Sequence, residues 1–489
     1  MTSIDRVGSE MNAHEEMLHD LAADMTREAG VLFVEATAAY LARALSGDDA
    51  VSTRLDAHDI ADRFDGPMPE TGRPLTDVLA HIVSDVIPES NWLHHPMAMG
   101  HQVAPPLPVA IWSEALVAAL NQSLAVWEMS PVASILETRV IQWMCDLAGL
   151  GPRAGGTFTS GGTEATLTAL LAARNALFPE AWERGVERRP VIVCGADAHY
   201  AVARAAGVLG VGTSNLITVP SRDHRMDPAA LRDIVDGLRA RDIPIIAVVA
   251  TAGSTPTGSF DDLEAIADIC DALGLWMHVD GAHGASALLS AAHRGRLRGI
   301  ERARSIAWDP HKMMLMPLSA GMLLVRDTAD LDAAFAQRAP YLFGDGAEQR
   351  VRDHGRRSFM CSRRADVLKV WIALQRHGRA GLAAIHDDLC ATAHALWWAI
   401  RERSDFEALH EPESNILCFR YIGSGGADEA ALDALNAELR ERYNRSGYGW
   451  ITTTVLDGRR VLRVTVMNPR TNGSHVRAML QRVAALAAG

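Results

Sequence analysis

The chain has 489 residues, of which 48% are hydrophobic and 22% charged, with a formal net charge of -13 and a pI near 5.8. That length exceeds one ordinary core, so two or three domains are expected, and the composition is that of a globular chain, not a disordered or fibrous one. Its acidity disfavours nucleic acid and anionic membrane surfaces, and neither is expected as a partner.

The start, Met1-Thr2-Ser3-Ile4-Asp5, is polar and acidic, unlike a signal peptide. No uncharged apolar run approaches the roughly 20 residues that span a bilayer. The six cysteines stand singly, with no CxxC or Cys/His ligand spacing, so neither a structural metal nor a disulfide framework is expected. A cytoplasmic location follows from these three readings. Residues 1–98 read as helices and loops, with Glu15 to Leu45 amphipathic and alanine-rich and His58 to Gly66 polar. Such a segment has little core of its own and is expected to pack at a subunit interface.

From 99 to 377 short apolar runs alternate with helical patterns. Gly156-Thr157-Phe158-Thr159 precedes Glu164 to Leu177, Val191 to Cys194 precedes Ala201 to Leu209, and Ile245 to Ala250 precedes Asp261 to Leu273. Leu275 to Val279, Ser305 to Trp308 and Gly321 to Val325 complete the set. This alternation predicts βαβ units, an α/β fold with a mostly parallel sheet, and ligands gathered at the carboxyl ends of its strands. After Gly378 a helical stretch runs through Arg403, followed by alternating segments at Asn415 to Tyr421, Trp450 to Val455 and Val461 to Val466 and a last helix near Ser474. Residues 378–489 thus read as a smaller α+β domain.

Chemistry-bearing residues fall at successive strand ends. Ser160-Gly161-Gly162-Thr163 joins a strand to a long helix. Its glycines permit close backbone approach, and Thr163 near the helix start leaves amide donors for a phosphate; an ordinary capped turn reads the same way. His199 follows the strand Val191 to Cys194 and suits stacking on a ring or acid–base work, although most of the 19 histidines will be structural. Thr255 sits at the next strand end. Asp280 closes the strand before Gly281-Ala282, where a carboxylate would keep a pyridine nitrogen protonated, as pyridoxal phosphate requires; an N-cap aspartate is the plainer alternative. Of 47 basic residues only Lys312 and Lys369 are lysine. A desolvated lysine can form a Schiff base and arginine cannot, so a lysine surviving this drift to arginine is a candidate for that chemistry. Lys312, in Asp309-Pro310-His311-Lys312-Met313-Met314, is the better candidate. Lys369 lies in a helical pattern that only needs its stem.

In this order, the phosphate turn, Ala198-His199-Tyr200, His278-Val279-Asp280-Gly281-Ala282 and Pro310-His311-Lys312, with His95-Pro96, Leu462-Arg463-Val464 and Asn468-Pro469, resemble the group II pyridoxal-phosphate-dependent amino-acid decarboxylases. The resemblance covers about residue 90 onward. It implies an aspartate-aminotransferase-like fold (fold type I), pyridoxal 5'-phosphate as cofactor, and a homodimer with active sites at the subunit interface. Lys312 would hold the internal aldimine, Asp280 the pyridine nitrogen, and His199 would stack on the ring opposite Ala282. Gly162 and Thr163, joined by Ser160 and His311, would bind the phosphate, with Thr255 near Asp280. Arg463 matches a position that contacts the substrate carboxylate. The implied reaction is L-amino-acid α-decarboxylation to an amine.

The sequence departs from that family in one loop. A mobile segment that usually supplies a tyrosine for protonating Cα corresponds here to roughly Gly344 to Ser358, which has none. His354 is the expected substitute, with Arg352 beside it and Tyr341 displaced to the loop's start. A solvated loop histidine is the competing reading of His354. Loss of the tyrosine makes an oxygen-consuming aldehyde synthase the second functional expectation. His101 and Gln102, in Gly100-His101-Gln102, fall where relatives bind the substrate side chain, and Gly-His there is closer to diaminobutyrate-type than to aromatic-specific enzymes.

Overall fold

In a computed structural model the chain is described at residue 15 and over residues 17–336, 339, 342–343 and 352–488. Strands β1 (Gly155–Thr159), β2 (Val191–Gly195), β3 (Leu216–Val219), β4 (Ile245–Thr251), β5 (Met277–Asp280), β6 (Ser305–Trp308) and β7 (Gly321–Val325) make one sheet, ordered β1-β7-β6-β5-β4-β2-β3. β3, β2, β4, β5 and β6 are mutually parallel, while β7 runs antiparallel to both β6 and β1. Strands β2, β4, β5, β6 and β7 are buried along their whole length. A strand covered on both faces needs a near-continuous apolar run rather than alternation, which is why these segments stand out in the sequence. The expected α/β architecture is therefore present, and its parallel strands deliver their carboxyl ends to one edge.

Residues 406–465 form a second sheet, ordered β8 (Phe406–Ala408), β9 (Ile416–Tyr421), β11 (Arg459–Thr465), β10 (Thr452–Leu456) and antiparallel throughout. One hydrophobic cluster runs from Val51 through Phe158 and Trp308 to Val464 and Leu480, so the second sheet shares its core with the first.

Local structure refines three of these readings. The polar stretch from His58 is helical over Ala57–Phe64, because Asp56 accepts the amides of His58 and Asp59 while Asp59 caps the Asp56 amide in return. The N-terminal helix breaks at Met25-Thr26, and Thr26 caps a new helix, Arg27–Ser46, at the Ala29 amide. The long helix begins at Val367, before Gly378, and runs to Arg401. Gly378, at φ 64° and ψ 175°, leaves the helical conformation and divides it in two, so the stretch after Gly378 is a helix of its own, as expected. Helix Arg27–Ser46 has the length and composition of a membrane span, but it carries Glu28, Glu35 and Arg43 and exposes Phe33 and Val34.

Candidate active site

The carboxyl edge of the large sheet opens into a cavity of about 400 Å³. The β1 end supplies Ser160, Gly162 and Thr163, the loop after β2 supplies His199, and the β4 end with the loop after it supplies Thr251, Gly253 and Thr255. The β5 end contributes Asp280, Ala282 and His283, and the β6 end Asp309, His311 and Lys312. All nine residues expected to bind the cofactor thus line one cavity.

The β1 end is shaped for an anion. Helix Gly162–Leu177 starts there with Gly161 as its cap, and the Ser160 amide donates to Glu164 Oε2 at 2.8 Å. The first-turn amides of a helix have no intrahelical acceptor and face outward with the positive end of the dipole. A side chain at Gly162 would put its Cβ 2.7 Å from Ala282 Cβ and 3.1 Å from Asp309 Oδ2, so only glycine lets these three loops meet.

The β6 end holds the charge. Lys312 Nζ lies 3.3 Å from Asp309 Oδ2 and His311 Nε2 lies 3.4 Å from the same oxygen. Burial alone would raise the Asp309 pKa, but Lys312, His311 and the Gly162 amide outweigh it and hold the carboxyl below its usual range. His311 Nδ1 accepts the Ala320 amide at 3.0 Å, which leaves its proton on Nε2. His199 Nδ1 likewise accepts the Ala201 amide at 3.2 Å, so its proton also sits on Nε2. Desolvation, opposed by Asp280 and reinforced by Lys312, lowers the His199 pKa and keeps the ring neutral.

His283 was not singled out by its sequence context. Its Nε2 lies 2.7 Å from Asn415 Oδ1, while Asn415 Nδ2 donates to the Val466 carbonyl at 2.8 Å. That pairing makes Oδ1 the acceptor, so the imidazole proton is on Nε2 and the buried Nδ1 is a bare acceptor with no partner among the described residues. Burial and then Lys312 push the His283 pKa down to about 3. Thr251 Oγ1 and Asp309 Oδ1 are also buried without partners among the described residues. An amide-rich helix start, a carboxylate at the β5 end, a lysine and orphaned polar atoms in one enclosure match the three demands of pyridoxal phosphate: a phosphate, a ring nitrogen and a carbonyl carbon.

The structure does not bring the other expected residues into this cavity. His354 is neither solvated nor in the site: it is buried, with Nε2 3.0 Å from the Ser134 carbonyl and Nδ1 3.5 Å from Glu137. Glu137, fully buried and paired to Arg363 at 2.7 Å, fixes it there, while the Asp353 carboxylate accepts the Trp127 amide and Gly355 donates to the Ala125 carbonyl. Arg352 lies over the Trp127 ring, and Tyr341 falls outside the described residues. His101 packs against the Trp450 ring at 5.3 Å between centroids, and Gln102 follows it with Nε2 buried and without a partner among the described residues. Arg463 is buried with Nε donating to the Pro256 carbonyl at 3.1 Å, immediately after the cavity residue Thr255, and its Nη2 has no partner among the described residues. Cavity residues missed by sequence reading are Thr251, Gly253, His283, Asp309 and Leu318. Only Asp309, inside the Asp-Pro-His-Lys run, carried a signal that could have found it.

Residues 58–422 match the family described as the pyridoxal-dependent decarboxylase conserved domain. The chain is 36% identical over 419 residues to L-2,4-diaminobutyrate decarboxylase of Rhizobium meliloti (strain 1021), spanning 85% of this chain and 83% of that protein. It is 33% identical over 396 residues to the human acidic amino acid decarboxylase GADL1, spanning 78% and 76%. A crystal structure of the glutamate decarboxylase domain of diaminobutyrate-pyruvate transaminase and L-2,4-diaminobutyrate decarboxylase from Vibrio parahaemolyticus superposes with a TM-score of 0.83 at 30% identity, covering 94% of this chain and 96% of that one.

Proposed function

This chain belongs to the pyridoxal-dependent decarboxylase family and is a pyridoxal-phosphate-dependent carboxy-lyase of amino-acid metabolism with fold type I; from that premise we propose that it removes the α-carboxylate of an L-amino acid and releases the amine. The observation that carries this reading is the convergence of Lys312, Asp280, His199 and the Gly162 helix start on one cavity.

Lys312 would hold the cofactor through Nζ and Asp280 would keep its ring nitrogen protonated. Ser160, Gly162, Thr163 and His311 would hold the phosphate, with Thr255 at the β4 end. His199 and Ala282 would bracket the ring. Bound there, pyridoxal phosphate supplies an electron sink for the pair left at Cα when carbon dioxide departs. Each turnover then needs one proton at Cα. His199 carries one on Nε2, and Lys312 carries one beside Asp309; His283 presents a bare Nδ1 and suits accepting from the substrate ammonium. Arg463, buried outside the cavity lining but bonded to the Pro256 carbonyl next to the cavity residue Thr255, is the proposed contact for the substrate carboxylate.

Gly100-His101-Gln102 and the 36% identity to a diaminobutyrate decarboxylase support L-2,4-diaminobutyrate as the first substrate to try. The proposal includes cytoplasmic residence, a division into residues 1–98, 99–377 and 378–489, and a homodimer. Exposed Leu116, Leu120, Val132 and Ile135, on helices Pro108–Leu120 and Pro131–Ala148, together with Phe33, support an apolar subunit contact.

The anchoring of His354 away from the cavity favours one second reading, an aldehyde synthase that consumes oxygen. The deciding experiment incubates holoenzyme in air with L-2,4-diaminobutyrate, L-glutamate, L-cysteine sulfinate and L-tryptophan. Amine equal to carbon dioxide, without peroxide, is expected. Aldehyde with ammonia and peroxide would replace the decarboxylase assignment by the synthase.

A further inference from the structure

A second cluster of chemistry-bearing side chains lies away from the cavity. On helix Val367–Arg401, His386 and Cys390 are four residues apart and share one face, with Asp387 adjoining. His293, in the turn after the 3-10 helix Gly284–Leu289, faces them. His293 Nε2 and His386 Nδ1 stand 3.7 and 3.6 Å from Asp387 Oδ1, and Cys390 Sγ stands 3.9 Å from His386 Nδ1. One ligand atom from each of His293, His386 and Cys390 lies within 4.8 Å of the others. His386 and Cys390 are buried, and the Asp387 oxygen between the two rings is buried with no hydrogen-bond partner among the described residues.

These spacings are long for nitrogen–oxygen hydrogen bonds but close to ligand–ligand edges. Around a tetrahedral zinc ion, with bonds of about 2.0–2.3 Å, ligand atoms stand about 3.3–3.7 Å apart. The edges of 3.6–3.9 Å need a contraction of a few tenths of an ångström, and the wider ones, up to 4.8 Å, about one ångström, to close the shell. We propose that His293, His386, Asp387 and Cys390 form a site for a zinc-like divalent cation, separate from the catalytic cavity.

The ligand chemistry selects the ion class. A thiolate and two imidazoles favour zinc over magnesium or calcium, which need oxygen ligands. One thiolate and one carboxylate balance a charge of two, and forming the metal–sulfur bond releases the thiol proton to solvent. His293 and Asp387 are 21% and 42% exposed, which gives the ion a way in. The bound ion would tie the long helix to the turn that continues from the Asp280–His283 loop, a structural role independent of turnover. His386-x-x-x-Cys390 carries the one-face spacing in the sequence, but His293 joins it only through the fold.

Chelator-treated holoenzyme titrated with cobalt(II) chloride should develop intense tetrahedral d–d bands and a thiolate-to-cobalt charge-transfer band, saturating at one ion per chain and displaced by zinc chloride. His293→Ala and Cys390→Ser should each abolish the charge-transfer band and weaken binding at least tenfold. Cys361→Ser, which alters the exposed cysteine, should leave it intact. Because His293 is partly exposed, His293→Ala should melt with the metal-free wild type, and only the wild type should gain melting temperature with zinc. Absence of a saturable band in the wild type, or its survival in both ligand variants, would overturn the site.

Discussion

At the scale of single residues, the two lysines divide two kinds of work. Lys312 opens into the cavity beside Asp309, whereas Lys369 is fully buried with Nζ held by Glu114 at 2.8 Å and Asp366 at 3.0 Å. Borohydride reduction of the holoenzyme should attach the cofactor to the Lys312 peptide alone; label on Lys369 would refute the assignment. Lys312→Ala should abolish turnover and leave the urea midpoint nearly unchanged. Lys369→Ala should keep the label but lose about 3 kcal/mol in urea denaturation, because two carboxylates lose their buried cation. Asp280→Asn should slow turnover by orders of magnitude, since a neutral amide cannot hold the ring nitrogen's proton; a mild effect would make Asp280 structural. Lys312 was legible in the sequence because all but two of the 47 basic residues are arginine, which leaves each lysine conspicuous. His283 and His354 were not, because Asn415 fixes the tautomer of one and Ser134 with Glu137 captures the other. Those partners are distant in the chain and adjacent only in the fold.

At the scale of elements, the strand-end loops meet because two glycines allow it. Gly253, at φ +82°, would put a Cβ 2.8 Å from the Gly284 amide nitrogen, and backbone cannot step aside as a side chain can. Gly253→Ala should therefore cost about 1–3 kcal/mol, read as a lower urea midpoint in the apoenzyme; an unchanged midpoint would show that the loops can part. The large sheet was readable as apolar runs because burial on both faces demands them. Helix Ala57–Phe64 was not, since its polar exposed surface resembles a loop and only the Asp56–Asp59 cap reveals it. The helix after Gly378 was readable because that glycine, at φ 64°, breaks the helical backbone; the helical segment before it, from Val367, packs through Val367, Val370 and Ala373 and was not set apart in the sequence.

At the scale of the whole molecule, acid should unfold the protein earlier than its carboxylates alone require. Burial lowers the pKa of His278 to about 4 and of His283 to about 3, against 6.5 for the free side chain. His278 also bridges Ser305 and Thr166, tying β5 to β6 and to the helix behind the sheet. Between those values the unfolded chain binds protons that the folded chain refuses, so stability is full above about pH 6.5 and falls as pH drops toward 4. Urea midpoints at pH 7.5 and 5.5 should differ in that direction, and a midpoint that rises on acidification would contradict the assignment of neutral buried imidazoles. The exposed apolar faces of helices Pro108–Leu120 and Pro131–Ala148 predict a dimer by light scattering, and Val132→Glu with Ile135→Glu should yield monomers.

The bond from His283 to Asn415, itself held by the Val466 carbonyl, also sets an order of assembly. During synthesis the segment from Ser160 to Lys312 leaves the ribosome well before Asn415 and Val466 exist. Until then His283 has no acceptor to fix its proton, and that wall of the cavity stays unfinished. A nascent chain arrested short of Val466 would thus carry every proposed cofactor residue and still leave the His283 proton unplaced.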